Sequence, residues 1–340
     1  MSTKSTSVPA EIVTAMGAPP TDEQWAAISM PLQPYVLVAG AGSGKTSVMA
    51  ARVVYLALAA LGRIEAPTGS LANPGVLPGN VLCLTFTVKA TENLRSRVRR
   101  ALASIDLAEG EEPQVLNYHA MAAQVLERYG ILAGIETGGR VLSQAQRVEL
   151  AGRVLDEMDF EHTKTEWQPS VVDKILNLDA QIANHLLDPD EVVAFVEERL
   201  PVYKKIARSD RVYFSALERI ELAKASVIFR RLKRDLGVID FSDQIELAMK
   251  IAGSHPEVGR EYRDRFGAVL LDEYQDTNVA QARLMEALFG EGHPVTAVGD
   301  PDQNIYAWRG ASLYNLLEFP SAFRSADGTE APRLPLFTNF

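Results

Sequence analysis

The sequence predicts an α/β fold on a parallel sheet, interrupted by an all-helical insertion. Three observations point there. Short apolar runs, Val36–Ala39, Val81–Leu84, Ala268–Leu271 and Val295–Val298, stop abruptly at glycine or polar residues. They alternate with segments of helical period, the pattern of a parallel sheet with crossover helices. Between residues 141 and 232 strand signals are scarce, and apolar residues recur at three- and four-residue spacing. With 340 residues, 47% of them hydrophobic, the chain can fill the core this organisation needs. The reading is a flexible arm at 1–19, one α/β domain from 20–140 and 233–340, and a helical subdomain at 141–232.

Each element has a local reason. The arm is polar, rich in Ser and Thr, and ends in proline. Thr21 is an N-cap, and Gln24 three residues on completes a capping box. Gln24 is equally placed to be a ligand, and both readings stay open. The strand Val36–Ala39 runs into Gly40, Gly42 and Gly44, and a helix follows over Ser47–Leu61. Pro and Gly mark 62–80 as a connector. A strand over Val81–Thr87, a basic helix over Thr91–Ala103, a short strand Gln114–Tyr118 and a helix Ala120–Tyr129 follow. The insertion holds helices near 144–158, 170–187, 189–198 and 213–236. Asp240 to Gln244 opens another helix. The strand Ala268–Leu271 ends at Asp272-Glu273, and Val295–Gly299 ends at Asp300.

The glycine stretch carries the chemistry. Ala39-Gly40-Ala41-Gly42-Ser43-Gly44-Lys45-Thr46 joins a strand to a helix, the layout that cradles a triphosphate. Glycines let backbone N–H groups approach oxyanions, and the helix N-terminus adds its positive dipole end. Lys45 reaches phosphate as a point charge, and the Thr46 hydroxyl is the ligand for Mg²⁺. The third glycine of a dinucleotide fingerprint is absent, since Lys45 stands in its place. In such a chain Asp272 reads as a second Mg²⁺ ligand and Glu273 as the group that orients and deprotonates water. A plain polar strand end is the bland alternative for that pair. Gln303, one strand on, is a candidate contact to the γ-phosphate or the attacking water.

Lys plus Arg total 34 against 44 Asp plus Glu, a net charge of −10, which argues against a general polyanion binder. Local clusters remain: Lys89 with Arg95, Arg97, Arg99 and Arg100; Lys204, Lys205, Arg208 and Arg211; Arg230, Arg231, Lys233 and Arg234. The last two read as solvated helix faces. The one cysteine, Cys83, excludes an intrachain disulfide framework or a Cys-based metal site, and the five histidines lack ligand spacing. No secretory signal is visible, and the longest apolar run, Val53–Leu61, is too short to span a bilayer. A soluble, cytoplasmic, reducing setting is expected, with no membrane partner.

From Pro20 to Phe340 the motifs resemble, in order and spacing, the N-terminal part of UvrD/Rep/PcrA-type superfamily I DNA helicases. The matching stretches are the Gln24 segment, Ala39–Thr46, Leu84–Ala90, Tyr118-His119-Ala120, Asp240–Asp243, Leu271–Thr277 and Gly299–Ala311. The resemblance implies a RecA-like P-loop NTPase domain, ATP and Mg²⁺ as ligands, and single-stranded DNA with duplex junctions as the substrate. It implies 3′-to-5′ translocation and unwinding, nucleoid association and a place in DNA repair or recombination, with a second helicase subunit or a repair protein as partner. By resemblance Gln24 reads the adenine edge. Gln275 and Gln303 couple nucleotide state to DNA grip. Phe86, Tyr306 and Trp308 stack on bases, Lys89 and His119 line the DNA track, and Arg309 links that track to the nucleotide. Without the resemblance, Phe86 and Tyr306 read as core residues and His119 as structural.

Three positions depart from the pattern. Ser47 stands where relatives often carry an arginine that packs on adenine. Asn117-Tyr118-His119-Ala120 replaces the commoner Thr-Phe-His-Ser, and Val88 a frequent Asn. Leu336 to Phe340 resembles the start of a further nucleotide motif, with Phe340 beside the base, and the expected arginine and second motor domain do not follow. The expectation is a half-motor that binds ATP weakly and turns it over poorly alone. Rival readings are a helicase–nuclease subunit, a non-hydrolysing DNA- or partner-binding scaffold, and an unrelated P-loop kinase.

Overall fold

The computed structural model describes residues 8–64, 75–107, 111–134, 140–165, 167–206, 210–304 and 310–338. In chain order the main elements are α1 (Ala10–Met16), α2 (Asp22–Ile28), β1 (Tyr35–Ala39), α3 (Lys45–Ala60), β2 (Val81–Thr85), α4 (Val88–Leu102), β3 (Gln114–Asn117) and α5 (Tyr118–Tyr129). There follow β4 (Arg140–Val141), α6 (Gln144–Glu157), α7 (Gln168–Asn184), α8 (Pro189–Ile206), α9 (Arg211–Asp235), β5 (Val238–Ile239) and α10 (Phe241–Ser254). The last are α11 (Pro256–Arg265), β6 (Ala268–Leu271), α12 (Val279–Phe289), β7 (Val295–Gly299), α13 (Leu313–Ala322) and β8 (Arg333–Leu336). The chain divides into two compact units, Met1–Met121 with Ala252–Asn278 and Ala282–Phe340, and Ala122–Ile251 with Val279–Gln281. These divisions lie outside 141–232 on both sides.

The first unit holds a six-stranded sheet in the order β3-β2-β6-β7-β1-β8, parallel at every pairing. The four central strands are almost wholly buried, which explains their continuous apolar runs. The edge strands β3 and β8 are half exposed, and β8 tolerates Pro335 because an edge strand can forgo a ladder donor. Placing β6 and β7 between β2 and β1 sets the carboxyl ends of β6, β7 and β1 side by side.

Every residue of α3 from Val48 to Ala59 is buried, since α1, α2 and α4 cover the helix. This burial explains the long apolar run that begins at Val53. Arg52, 3% exposed, is its exception in chemistry. Its guanidinium donates to the carbonyls of Ile28 (2.7 Å), Pro31 (3.1 Å) and Met30, closing the C-terminal end of α2. The flexible arm expected at 1–19 is corrected over Ala10–Met16. That stretch is helical, its Ile12 is fully buried in the core with Val53 and Leu58, and Gly17 ends it in the left-handed region at φ 79°.

The helical unit packs α6, α7 and α9 around Leu150, Val171, Ile175 and Phe229, and α8 on α9 through Val196, Ala216 and Ile220. It also contains one short parallel pair, β4 with β5. The basic stretch Arg230–Arg234, read as a solvated face, is corrected for two residues. Lys233 is 3% exposed, and its ammonium donates to Asp179 (3.3 Å), Asp240 (3.3 Å) and Asp243 (2.8 Å). Arg230 pairs with Asp179 at 2.6 Å, and Arg147 with Asp240 at 3.1 Å. Among the described residues no helix is long and apolar enough to cross a membrane.

Candidate functional site

The loop after β1 is shaped by its glycines. Gly42 and Gly44 sit at φ 77° and 83°, where an L side chain is strained, and a Cβ on Gly44 would lie 3.1 Å from Gln24 Nε2. Ser43 is buried and folds back, its hydroxyl donating to the Gly40 carbonyl at 2.8 Å. Ala39 is the last residue of β1, with its side chain in the core, while Gly40, Ala41 and Gly42 form the open part of the loop. Lys45 and Thr46 begin α3, both half-buried.

Gln24 makes the cap that the sequence offered. Its Oε1 accepts from Thr21 N at 3.0 Å, and its backbone N–H donates to Thr21 Oγ1 at 3.2 Å, a complete capping box. Its Nε2 donates to the Ser43 carbonyl at 3.0 Å, so the cap is fastened to the loop. An amide offers two donors and two lone pairs, which leaves one of each for a base edge.

At the tip of β6, Asp272 is 6% exposed, and burial beside the Glu273 charge pushes its carboxyl up to about 7. Glu273 adopts the left-handed conformation at φ 49°, uncommon for a residue with a side chain. Such a conformation costs on the order of 1–3 kcal/mol and is held by its surroundings. Here the carboxylate is held twice: Lys45 Nζ donates to Glu273 Oε2 at 3.1 Å, and Gln275 Nε2 donates to the same oxygen at 2.8 Å. Asp276, buried near Glu273, is pushed up to about 6, and its Oδ1 has no hydrogen-bond partner among the described residues.

At the tip of β7, Asp300 accepts from Asp302 N at 3.0 Å and from Gln303 Nε2, while its own N–H donates to Gln275 Oε1 at 3.1 Å. The sequence thus placed Lys45, Asp272, Glu273 and Gln303 on three separate strand ends. Those ends are neighbours in the sheet, and hydrogen bonds join the lysine, Glu273 and Gln303 through Gln275 and Asp300. Two carboxylates and a hydroxyl beside a cationic, glycine-lined loop are a donor set that suits a divalent cation and a polyphosphate.

Ser47, the departure one residue beyond Thr46, receives the Arg97 guanidinium of α4 at 2.7 Å. A cation therefore reaches this point from another helix, and Arg97 was legible only as one member of a basic cluster. Near the loop, Glu23 accepts from the backbone N–H groups of Phe337 (2.9 Å) and Thr338 (3.2 Å). The residues expected to meet DNA begin at the other side of the sheet. Phe86 follows β2 and is half-buried, Lys89 is exposed in the first turn of α4, and His119 is half-buried just past β3. Since β2 pairs with β3, with Thr85 opposite Asn117, these side chains leave adjacent strand ends. Tyr306, Trp308, Arg309 and Phe340 lie outside the described residues.

Residues 20–324 match the family model described as UvrD/REP helicase N-terminal domain. The chain is 30% identical over 293 residues to the ATP-dependent DNA helicase PcrA of Leuconostoc citreum, covering 86% of this chain and 34% of that protein. It is 29% identical over 293 residues to PcrA of Bacillus subtilis strain 168, with the same shares covered. With PcrA of a Staphylococcus epidermidis strain it shares 29% over 310 residues, 89% of this chain and 36% of the relative. The chain spans about a third of the length of these relatives.

Proposed function

The chain belongs to the UvrD/REP helicase N-terminal domain family, and from that premise we propose that it is an ATP-binding motor domain of a DNA helicase. The observation that carries the reading is the meeting of Lys45 with Glu273 at 3.1 Å, beside the glycine loop and one hydrogen-bonded step from Gln275. In this proposal Gly40 to Thr46 hold the phosphates of ATP, and Lys45 offsets charge on the terminal ones. Thr46 and Asp272 hold Mg²⁺, which when bound supplies positive charge to the phosphoryl oxygens. Glu273 orients a water and takes its proton, Gln303 faces the terminal phosphoryl group, and Gln24 uses its spare donor and acceptor on the base. Arg97 supplies the cation beyond the loop that Ser47 does not.

Phe86, Lys89 and His119 are the described members of a single-stranded DNA track to which Tyr306 and Trp308 also belong, and Arg309 links that track to the nucleotide. Stacking contributes roughly 1–3 kcal/mol per base and is indifferent to sequence, as a translocating protein needs. Translocation 3′ to 5′ and unwinding at duplex junctions, in repair or recombination with its partners, are the activities this reading assigns to the motor. The test is DNA binding by anisotropy with homopolymer and mixed single strands, for the chain and Phe86→Ala. Weaker binding of every sequence by a similar factor supports the track. A loss confined to some sequences, or none, counts against it.

A further inference from the structure

We propose that Gln275 is the positioning residue of the hydrolytic carboxylate: its amide holds Glu273 and ties it, through Asp300, to Gln303. The inference rests on the ATP-hydrolysis reading above and assigns a role beyond the coupling to DNA that resemblance implies.

Gln275 is 1% exposed, and every polar group of its amide plane has work. Nε2 donates to Glu273 Oε2 at 2.8 Å, and Oε1 accepts from Asp300 N at 3.1 Å. Its backbone carbonyl accepts from Asn304 Nδ2 at 2.9 Å, fixing the main chain from the far side of the β7 tip. Asp300, 3% exposed, then holds the Gln303 amide through Oδ2. The result is a continuous path, Lys45–Glu273–Gln275–Asp300–Gln303, across neighbouring strand ends.

The chemistry of the residue type is specific. A donor must face the Glu273 carboxylate while an acceptor faces a backbone N–H on β7. Glutamate at 275 would set two carboxylates together, and asparagine is one methylene short. Gly299 records the same demand from the opposite strand: a Cβ there would lie 2.8 Å from Gln275 Oε1 and 2.9 Å from Leu316 Cδ1. The left-handed backbone at Glu273 gives the amide a reason to exist. A side chain on an unfavourable backbone needs a second anchor besides a lysine that a polyphosphate also attracts.

The role predicts coupled kinetics. Gln275→Ala should bind a fluorescent ATP analogue within about threefold of the parent and hydrolyse ATP in single turnover on the order of 10²-fold more slowly, since loss of positioning acts on the chemical step. Glu273→Gln should be severe in the parent and add little in the Gln275→Ala background, because both act through one carboxylate. Additive losses, or a Gln275→Ala rate within twofold of the parent, overturn the role. A second measurement needs no turnover. With isotope-labelled glutamine, the side-chain amide signal lost in Gln275→Ala should shift in Glu273→Gln and shift again on adding ATP with Mg²⁺. A signal that ignores Glu273→Gln overturns the proposal. Failure of the underlying reading shows separately, as unchanged analogue binding in Lys45→Ala.

Discussion

Lys233→Met removes the ammonium at the centre of the helical unit and leaves its neighbours in place. At an effective dielectric near 20, a contact of this length is worth about 5 kcal/mol before desolvation, and Lys233 makes three, to Asp179, Asp240 and Asp243. Desolvation offsets most of that, and breaking a buried pair by removing one partner typically costs about 3–5 kcal/mol. Arg230 still faces Asp179, and Arg147 still faces Asp240, so Asp243 is the group left uncompensated. Its folded pKa is already raised from 3.8 to about 6 by burial and the Asp240 charge. A carboxyl raised on folding contributes stability below its unfolded pKa and loses it as pH rises through the folded value. Without Lys233 the folded value climbs further, and because the parent's Asp243 already titrates near 6, protonating it at pH 8 sets a ceiling of about 3 kcal/mol on the added loss. The variant should therefore lose about 3 kcal/mol near pH 8 and less than half of that near pH 5, where the parent group is already protonated. Urea unfolding by circular dichroism measures the loss, and amide exchange in α9 assigns it to the helical unit. A loss below about 1 kcal/mol, or one constant with pH, refutes the reasoning.

Burial lowers the folded pKa of His293, stacked on Phe289, from 6.5 to about 4. Protonation then favours the unfolded chain, and stability present above about pH 6.5 falls by roughly 3 kcal/mol towards pH 4. His293→Phe should flatten that acid limb, and an unchanged limb in urea titrations at several pH values contradicts the assignment. Arg52→Met leaves the carbonyls of Ile28, Met30 and Pro31 without their buried donor. At about 1–3 kcal/mol for each unsatisfied buried group, a loss near 3 kcal/mol is expected, and a melting temperature equal to the parent's argues against it. Gly299→Ala should slow single-turnover hydrolysis more than it weakens nucleotide binding, because the added carbon meets Gln275 Oε1. Equal effects on both would point to general damage at the β7 tip.

What was legible in the sequence was local. The glycines, Lys45 and Thr46 declare themselves because their chemistry depends on spacing within one strand–loop–helix unit. The central strands are equally plain, since burial on both faces leaves unbroken apolar runs. The order that sets β6 and β7 between β2 and β1 has no local signature, and neither has β8, whose polar, proline-containing edge resembles a loop. Helix α1 was hidden by its polar surroundings, because a single side chain, Ile12, carries its burial. Lys233 looked solvated because its partners lie 54, 7 and 10 residues away in the chain. The Gln275–Asp300 bond spans 25 residues and two strands, so only the folded sheet reveals it.

The most direct measurement is a crystal structure of the chain with Mg²⁺ and a non-hydrolysable ATP analogue. The account predicts phosphates seated on Gly40 to Thr46, Lys45 turned from Glu273 to phosphate, and Glu273 still held by Gln275. An analogue bound elsewhere, or Lys45 still on Glu273 with phosphates in the loop, contradicts it.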